Sequence, residues 1–242
     1  MSTSSDERVV VLSPHLDDAV LSLGATMTEL TRSGKHVSVV TVFAGDPAST
    51  REAGPWDSRA GFRTEGEAAR VRRGEDDVAC RTLGVEPVWL SLPDEDYAGV
   101  RDAEHVWTAL SAVIRNEDTV LVPGSPLTHN DHRWLAELFV AKGPCWKRLG
   151  LYREQPYRYW TRPSHRHSDL ALSTVSSELN WRGNAIATAR KVGRKWRAVC
   201  AYPSQLPLLG LKRRGLARML AHEIATGGEM IAWVAELGLE GR

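Results

Sequence analysis

The first half of the chain alternates short apolar runs with stretches of helical periodicity, and this alternation limits the folds open to it. The apolar run at 8–13 is followed by an amphipathic pattern over 18–32, which Gly34 ends. Apolar runs at 36–43, 87–92 and 119–123 then alternate with helical patterns over 62–83 and 102–115. Strands that alternate with helices predict an α/β fold, here a Rossmann-like, mostly parallel sheet with helices on both faces.

Beyond residue 150 the alternation is less regular. Residues 151–160 predict a strand that runs into a loop, and residues 181–209 predict a helix that ends at a Pro/Ser break. A length of 242 residues is ample for one sizeable α/β domain. Because the chain shows no internal repeat, low-complexity tract or linker, we expect a single domain over residues 1–242.

A polar stretch rich in reactive side chains follows each of the four predicted strands. The stretches are Ser13–Asp18, the loop 44–61, Leu92–Tyr97 and Pro123–Trp134. Parallel sheets bind ligands beyond the carboxyl ends of their strands, and a loop as long as 44–61 is more often functional than idle. We therefore expect the active site at this edge of the sheet.

Two motifs at this edge combine histidines with carboxylates, His15–Asp18 and His129–His132. The adjacent carboxylates of Asp17 and Asp18 repel each other unless a positive charge holds them. A divalent cation would neutralise them, and nitrogen and oxygen ligands at ~2.0–2.2 Å suit zinc. A catalytic zinc takes three protein ligands and leaves one position for water. The motifs therefore predict Zn²⁺, with another divalent cation such as Fe²⁺ left open.

Each motif also has a simpler interpretation. Asp17 and Asp131 could each cap the helix that follows, and a lone histidine after a strand is usually a hydrogen-bonded loop residue. A phosphatase-type acidic loop normally separates its carboxylates by a spacer residue, whereas these are adjacent. The metal site is favoured because both motifs fall at one edge of one predicted sheet.

The motifs resemble one known family. The stretch SPHLDDAVLS (13–22) followed by HNDH (129–132) is similar to the PIG-L/LmbE-like N-acetylglucosaminyl deacetylases, metal-dependent amide hydrolases with a Rossmann-like fold. Weaker similarity extends the match to about residues 8–206 through RRGEDDVACRTLGV, LPDEDY, YREQPY and YPSQL. Leu16 stands where the family has proline and Ala19 where it has glutamate, which leaves the implied ligand set intact.

The resemblance implies a role for each motif residue. His15, Asp18 and His132 would bind the metal, and Asp17 would remain free as general base beside the water. His129 would stabilise the oxyanion from outside the ligand set, held oriented and protonated by Asp131, with a raised pKa.

Two further residues are implied to contact substrate. Arg72 would bind polar groups of the substrate, although a solvated arginine within the basic run 70–73 is an equal alternative. Asp94 would accept hydrogen bonds from sugar hydroxyls, with Asp96 close enough to confuse the assignment.

The function implied is a metal-dependent hydrolase that removes an N-acyl group, in the first place N-acetyl, from an amino sugar or glycosylated small molecule. Two alternatives stay open. One is an amidase that acts on a non-sugar amide with the same site, and the other is a catalytically inactive, sugar-binding member of the fold.

Composition and charge limit the classes of partner that we expect this protein to bind. A net charge of +1 argues against nucleic acid or an anionic membrane as a partner, and favours solvated helix faces over an anion site for the basic runs 190–197 and 212–218. The N-terminus does not predict a signal peptide. Three unevenly spaced cysteines predict buried thiols in a reducing cytoplasm. Nine tryptophans exceed the usual number, so some are available to a pocket. A homo-oligomer is left open.

Overall fold

A computed structural model describes residues 7–142, 148–160 and 180–234 of the chain. Within these residues a seven-stranded sheet has the order β3-β2-β1-β4-β5-β7-β6. The strands are β1 Arg8–Ser13, β2 His36–Thr41, β3 Glu86–Trp89, β4 Thr119–Ser125, β5 Arg148–Arg153, β6 Arg182–Gly183 and β7 Met230–Trp233. The helices are α1 Asp18–Arg32, α2 Pro55–Ala60, α3 Glu65–Leu83, α4 Ala103–Ser111, α5 Asn130–Lys142, α6 Tyr157–Trp160, α7 Ala185–Val199 and α8 Arg213–Ala225.

The prediction of a mostly parallel sheet is confirmed. Strands β3, β2, β1, β4 and β5 run parallel to one another, so their carboxyl ends share one edge. Strand β7 pairs antiparallel with β5, and β6 pairs antiparallel with β7. The antiparallel extension was not expected, because its two short strands follow the part of the sequence where the alternation is weakest.

The sheet separates two apolar cores, and β1 contributes to both. Val9 and Val11 face the core formed with α1, α3, α7 and α8, whereas Val10 and Leu12 face the core that includes side chains of α4 and α5. A strand buried on both faces carries a continuous apolar run instead of alternating residues. This is why the first strand could be identified from its composition.

Several element boundaries differ from the predicted ones. The predicted loop 44–61 contains α2, which Pro55 opens, and Gly61 ends it with a φ of +94°. Helix α3 begins at Glu65 instead of 62, because the Thr64 side chain caps it by accepting a hydrogen bond from the Glu67 amide at 3.1 Å. A proline is favoured in the first turn of a helix and a threonine at its N-cap.

The C-terminal third is more ordered than predicted. Helix α8 packs against α7, and Lys195, which falls in the basic run expected to face solvent, is fully buried. Its ammonium group contacts Glu223 Oε2 at 2.8 Å and Glu229 Oε1 at 2.7 Å. The prediction of a solvated helix face is therefore wrong for Lys195, because two buried glutamates pair with its charge.

The same cluster also provides a capping group at a kink in α1. Leu23 has non-helical backbone angles, so the helix is kinked there. The amides of Ala25 and Thr26 donate to the Glu229 carboxylate at 2.8 and 2.6 Å. Glu229 thus caps the second half of α1 from a position far along the chain.

Cys80 is buried and Cys200 is exposed, both as free thiols, and Cys145 lies outside the described residues. The expectation of buried thiols is therefore wrong for Cys200. None of the described helices is long and apolar enough to cross a membrane. The single domain over residues 1–242 stays a prediction.

Candidate active site

The two histidine-carboxylate motifs meet at the carboxyl edge of the sheet because β1 and β4 are parallel neighbours. Residues His15–Asp18 connect β1 to α1, and residues His129–His132 lead into α5. The Ser13 hydroxyl accepts a hydrogen bond from the Ala19 amide at 3.0 Å and donates one to the His15 carbonyl oxygen. This pair of hydrogen bonds fixes the turn that presents the first motif.

Three potential ligand atoms form an almost equilateral triangle. His15 Nδ1 lies 3.2 Å from Asp18 Oδ2, His132 Nε2 lies 3.1 Å from the same oxygen, and the two nitrogens are 3.2 Å apart. Tetrahedral ligands at ~2.0–2.1 Å from an ion lie about 3.3–3.4 Å from one another. The donor set and its spacing therefore fit a divalent cation.

The second nitrogen of each histidine faces a buried carboxylate. His15 Nε2 lies 2.9 Å from Asp131 Oδ2, and His132 Nδ1 is hydrogen-bonded to Glu154 Oε1. In the neutral tautomers each of these nitrogens carries the proton, so the other nitrogen presents a lone pair to the triangle. Carboxylates in this position orient metal-binding histidines and raise their basicity.

The charge balance of the cluster favours a cation. Burial alone would lower the pKa of His132, but Asp18 and Glu154 outweigh it and raise that pKa to about 9. For Asp18, burial alone would raise the pKa. Its contacts with His132 and His15 outweigh burial and lower that pKa well below its ordinary value. The cluster therefore attracts positive charge, either as protons or as a metal ion.

Both capping interpretations are wrong. Asp17 occupies the N-cap position of α1, but within the described residues its side chain makes no capping hydrogen bond. Asp131 lies inside the first turn of α5, and its carboxylate contacts His15 and the Arg101 guanidinium instead. Neither carboxylate is needed to start a helix.

Asp17 is buried and borders the cavity next to the triangle. Burial, reinforced by the charge of Asp18, raises its pKa to about 7, although His15 and Arg72 act in the opposite direction. A carboxylate with this pKa can take up and release a proton near neutral pH.

His129 differs from the expectation. Its Nδ1 accepts a hydrogen bond from the Asp131 backbone amide at 3.2 Å, so the neutral ring carries its proton on Nε2, which lies 3.4 Å from Glu95 Oε1. Burial and the neighbouring histidines His15 and His132 lower the pKa of His129 to about 4. The predicted raised pKa is wrong, because the Asp131 carboxylate contacts His15 and Arg101 instead of the His129 ring.

Sequence reasoning did not single out Glu154 or Arg101. Glu154 follows β5 and is buried, and its Oε2 accepts a hydrogen bond from the Leu127 amide at 3.0 Å. Arg101 pairs with Asp131, and its guanidinium lies 4.5 Å over the Phe43 ring and 5.5 Å over the Trp134 ring. Glu154 carried a weak signal, the YREQPY similarity, whereas Arg101 carried none.

Arg72 and Asp94 border the same cavity, which has a volume of about 410 Å³. The Arg72 side chain is only 12% exposed and pairs with Asp57, so its interpretation as a solvated arginine is wrong. Among the described residues its Nε has no hydrogen-bond partner. Burial raises the pKa of Asp94 to about 6. Both side chains could therefore contact a polar ligand.

Two loops form the wall beside Arg72. The Tyr97 hydroxyl donates to Asp57 Oδ2 at 2.5 Å and accepts from the Gly54 amide at 2.8 Å. Asp96 Oδ2 accepts a hydrogen bond from the Trp56 amide at 3.1 Å. The stretch after β3 is thus joined to the loop after β2, as expected for stretches at one sheet edge.

The fold and the histidine-carboxylate cluster place the chain among Rossmann-like α/β proteins with a candidate metal site at the strand ends. The family model described as GlcNAc-PI de-N-acetylase (PIG-L) matches residues 10–142. The chain belongs to the PIG-L family.

Two curated relatives share the name 1D-myo-inositol 2-acetamido-2-deoxy-alpha-D-glucopyranoside deacetylase. The protein from a Nocardioides species is 30% identical over 146 residues, which is 56% of this chain and 40% of the relative. The protein from Salinispora arenicola is 31% identical over 85 residues, which is 35% of this chain and 27% of the relative. The chain therefore spans less than half the length of these curated relatives.

Solved structures extend the likeness over almost the whole chain. The A40926 pseudoaglycone deacetylase Dbv21 has a TM-score of 0.73 at 25% identity and covers 93% of this chain and 96% of its own. The hydratase GalB from Pseudomonas putida has a TM-score of 0.59 at 17% identity, and the match covers 94% of this chain and 96% of GalB. Since the second likeness shows the fold alone, activity has to be argued from the site.

Proposed function

We propose that this protein is a zinc-dependent N-deacetylase that removes an acetyl group from an amino sugar in a glycosylated small molecule. The observation that carries the proposal is the triangle of His15 Nδ1, Asp18 Oδ2 and His132 Nε2 beside the buried carboxylate of Asp17. The names of the curated relatives and of Dbv21 support deacetylation as the reaction.

His15, Asp18 and His132 would hold the metal, with Asp131 and Glu154 orienting the two imidazoles. Two imidazole nitrogens and one carboxylate oxygen suit zinc, and Fe²⁺ accepts the same ligand types. When bound, the cation lowers the pKa of water toward ~7 and polarises the acyl carbonyl.

Asp17 takes the proton from the attacking water and then delivers it to the departing amine. Burial raises the pKa of Asp17 above its ordinary value, to about 7 before any cation binds, and a carboxylate with a raised pKa accepts a proton more readily while still releasing it to an amine. Burial beside the cavity keeps this carboxylate close to the reacting atoms.

His129 donates its Nε2 proton as a hydrogen bond to the oxygen on which negative charge develops during the attack. The hydrogen bond from the Asp131 amide to Nδ1 fixes the tautomer that this role requires. The donor acts as a neutral imidazole, not as an imidazolium, and a preorganised neutral donor is sufficient for such stabilisation.

Arg72 and Asp94 position the sugar. Arg72 supplies positive charge to the substrate's polar groups, and Asp94 can accept from a hydroxyl, because both residues border the cavity that reaches Asp17. The substrate class is therefore a small-molecule N-acyl glycoside. A cytoplasmic location remains a prediction, and a homo-oligomer stays open.

The test is an amine-release assay on a panel of N-acetyl compounds, run together with metal analysis of the same preparation. We expect release from N-acetylglucosaminides, loss of activity on chelation and recovery on addition of zinc. Release from non-sugar amides alone would make the protein an amidase. A metal-loaded protein that binds the glycosides without releasing amine would make it an inactive binding protein.

A further inference from the structure

The cavity beside the metal cluster has apolar as well as polar lining residues. Beyond the metal cluster, its walls carry Trp56, Tyr157, Trp160, Leu208 and Leu209. Trp160 is 46% exposed, and both leucines are half-buried. Aromatic and aliphatic side chains along a cavity are typical of sites that bind the apolar part of a ligand.

An aromatic series joins this part of the cavity to the reacting centre. The Tyr157 ring lies 5.3 Å from the His132 ring in an edge-to-face contact at 86°. The Trp160 ring lies 5.7 Å from the Tyr157 ring at 89°. The apolar wall is thus continuous with the metal cluster, so one ligand can contact both.

The polar groups of Trp56 and Gln205, which also border the cavity, are already engaged in hydrogen bonds. Trp56 Nε1 donates to Gln205 Oε1 at 2.9 Å, and Gln205 Nε2 donates to the Ser204 hydroxyl at 2.9 Å. The Trp56 amide uses Asp96 Oδ2. The Trp56 indole therefore has no donor left for a second sugar ring, and the acceptors along this cavity are the carboxylates of Asp94, Glu95 and Asp96. The same contacts fix the Trp56 indole as a rigid apolar surface.

We infer that the substrate carries an apolar, best aromatic, aglycone on the sugar, and that Trp56, Trp160, Leu208 and Leu209 bind it. The inference rests on the proposed deacetylase function and names the substrate class of the same site. Aromatic rings prefer edge-to-face or offset contacts with other rings, which Tyr157 and Trp160 already illustrate. A cavity of about 410 Å³ falls within the range of sites for drug-sized ligands.

The test compares N-acetylglucosaminides that differ only in the aglycone: methyl, phenyl, myo-inositol and a second N-acetylglucosamine. For the wild-type protein we expect kcat/KM for the phenyl glycoside to exceed that for the methyl glycoside by roughly 10–100-fold, the range that apolar pocket contacts supply. Calorimetry with the corresponding glucosamine glycosides should give the same order of affinity without any reaction.

Two substitutions locate the effect. Trp160→Ala should reduce the phenyl-to-methyl ratio of kcat/KM to within about threefold of one, because the ring contact is lost. Leu208→Ser should reduce the same ratio and serves as a second variant on another segment, since Trp160 also contacts Tyr157 next to the metal cluster. Ile186→Ala is the matched control, an apolar side chain that is 67% exposed on α7 and does not border the cavity.

The outcomes separate the inference from the proposed function. A phenyl preference that both cavity variants lose and Ile186→Ala keeps supports the inference. Equal rates for all aglycones, a preference for inositol or the second sugar, or a phenyl preference that survives both cavity variants overturns it and leaves deacetylation standing. Absence of amine release from every glycoside by the zinc-loaded protein overturns the proposed function and this inference with it.

Discussion

Among the residues that the structure describes, two clusters of buried carboxylates balance their charge in different ways. In the C-terminal cluster, the Lys195 ammonium group lies between Glu223 and Glu229 at 2.8 and 2.7 Å. At the strand ends, Asp18 and Glu154 approach two histidines, and the cluster borders a large cavity. The first cluster has its own permanent cation, whereas Asp18 and Glu154 face only histidines and depend on protons or an ion that enters from solvent, Arg101 being paired with Asp131.

The two arrangements suit different roles, one structural and one in ligand binding. A lysine sealed between two glutamates can stabilise one conformation but cannot take part in chemistry with a ligand that never reaches it. The strand-end cluster is open to a ligand, and its charge balance changes when a metal binds.

Asp17→Asn should lower turnover by ~10²–10⁴-fold while metal content stays near that of the wild type, because the amide keeps the shape but cannot accept the proton. In the wild type, activity should fall on the acid side as Asp17 is protonated, with a midpoint below the value of about 7 that its pKa has without metal, because a bound cation opposes the effect of Asp18. Steady-state rates across pH measure both effects. An unchanged rate in the variant would remove Asp17 from the reaction.

Lys195→Met should destabilise the fold by ~3–5 kcal/mol, because Glu223 and Glu229 are left buried without their partner. Urea unfolding measures this change, and added zinc should not reverse it. Lys191→Met is the control on the same helix, since Lys191 pairs with Glu29, which is exposed to solvent, and a surface ion pair contributes little to stability. Equal effects of the two substitutions would contradict the comparison between a sealed and an open cluster.

His129→Ala should lower turnover by ~10²–10³-fold through loss of one hydrogen-bond donor. The wild-type activity should not fall on the alkaline side through His129, because its pKa of about 4 already leaves the ring neutral at pH 7. The pH profile of wild type and variant is the measurement. An alkaline limb that the substitution abolishes would show that the imidazolium is the active form after all.

Glu154→Gln should weaken zinc affinity by ~10–100-fold, since the carboxylate that orients His132 is replaced by an amide. A competitive chelator titration measures the affinity. Glu95→Gln is the control, because Glu95 faces His129 and neither orients nor supplies a proposed ligand. If Glu95→Gln weakened affinity as much, His129 and Glu95 would have to be counted among the groups that hold the ion.

The sequence was sufficient where signals are local. The bounds of β1 and α1 were predicted residue for residue because an apolar run ends at a polar motif and Gly34 follows the helix. The meeting of the two histidine motifs followed from the rule for parallel strand ends. The same rule, applied to β5, would have placed Glu154 at this edge as well.

The features that the sequence did not predict depend on contacts between residues that are far apart in the chain. Lys195 belongs to a basic run, but its spacing from Thr188 and Ala198, seven and three residues, places the three side chains on one face of the helix. All three residues are buried. That spacing was an available signal, but only Glu223 and Glu229, which follow later in the chain, explain why a lysine can occupy it. The contact of Arg101 with Asp131 had no sequence signal, since it depends on how a loop folds back over the site.

The central claim is that His15, Asp18 and His132 hold one divalent ion at the strand ends. Metal content per chain, measured by mass spectrometry on wild type, Asp18→Asn, Asp17→Asn and His129→Ala, tests it most directly. We predict about one ion in the wild type, the same in Asp17→Asn and His129→Ala, and a large loss in Asp18→Asn. Full occupancy in Asp18→Asn, or loss of the ion in His129→Ala, would contradict the account.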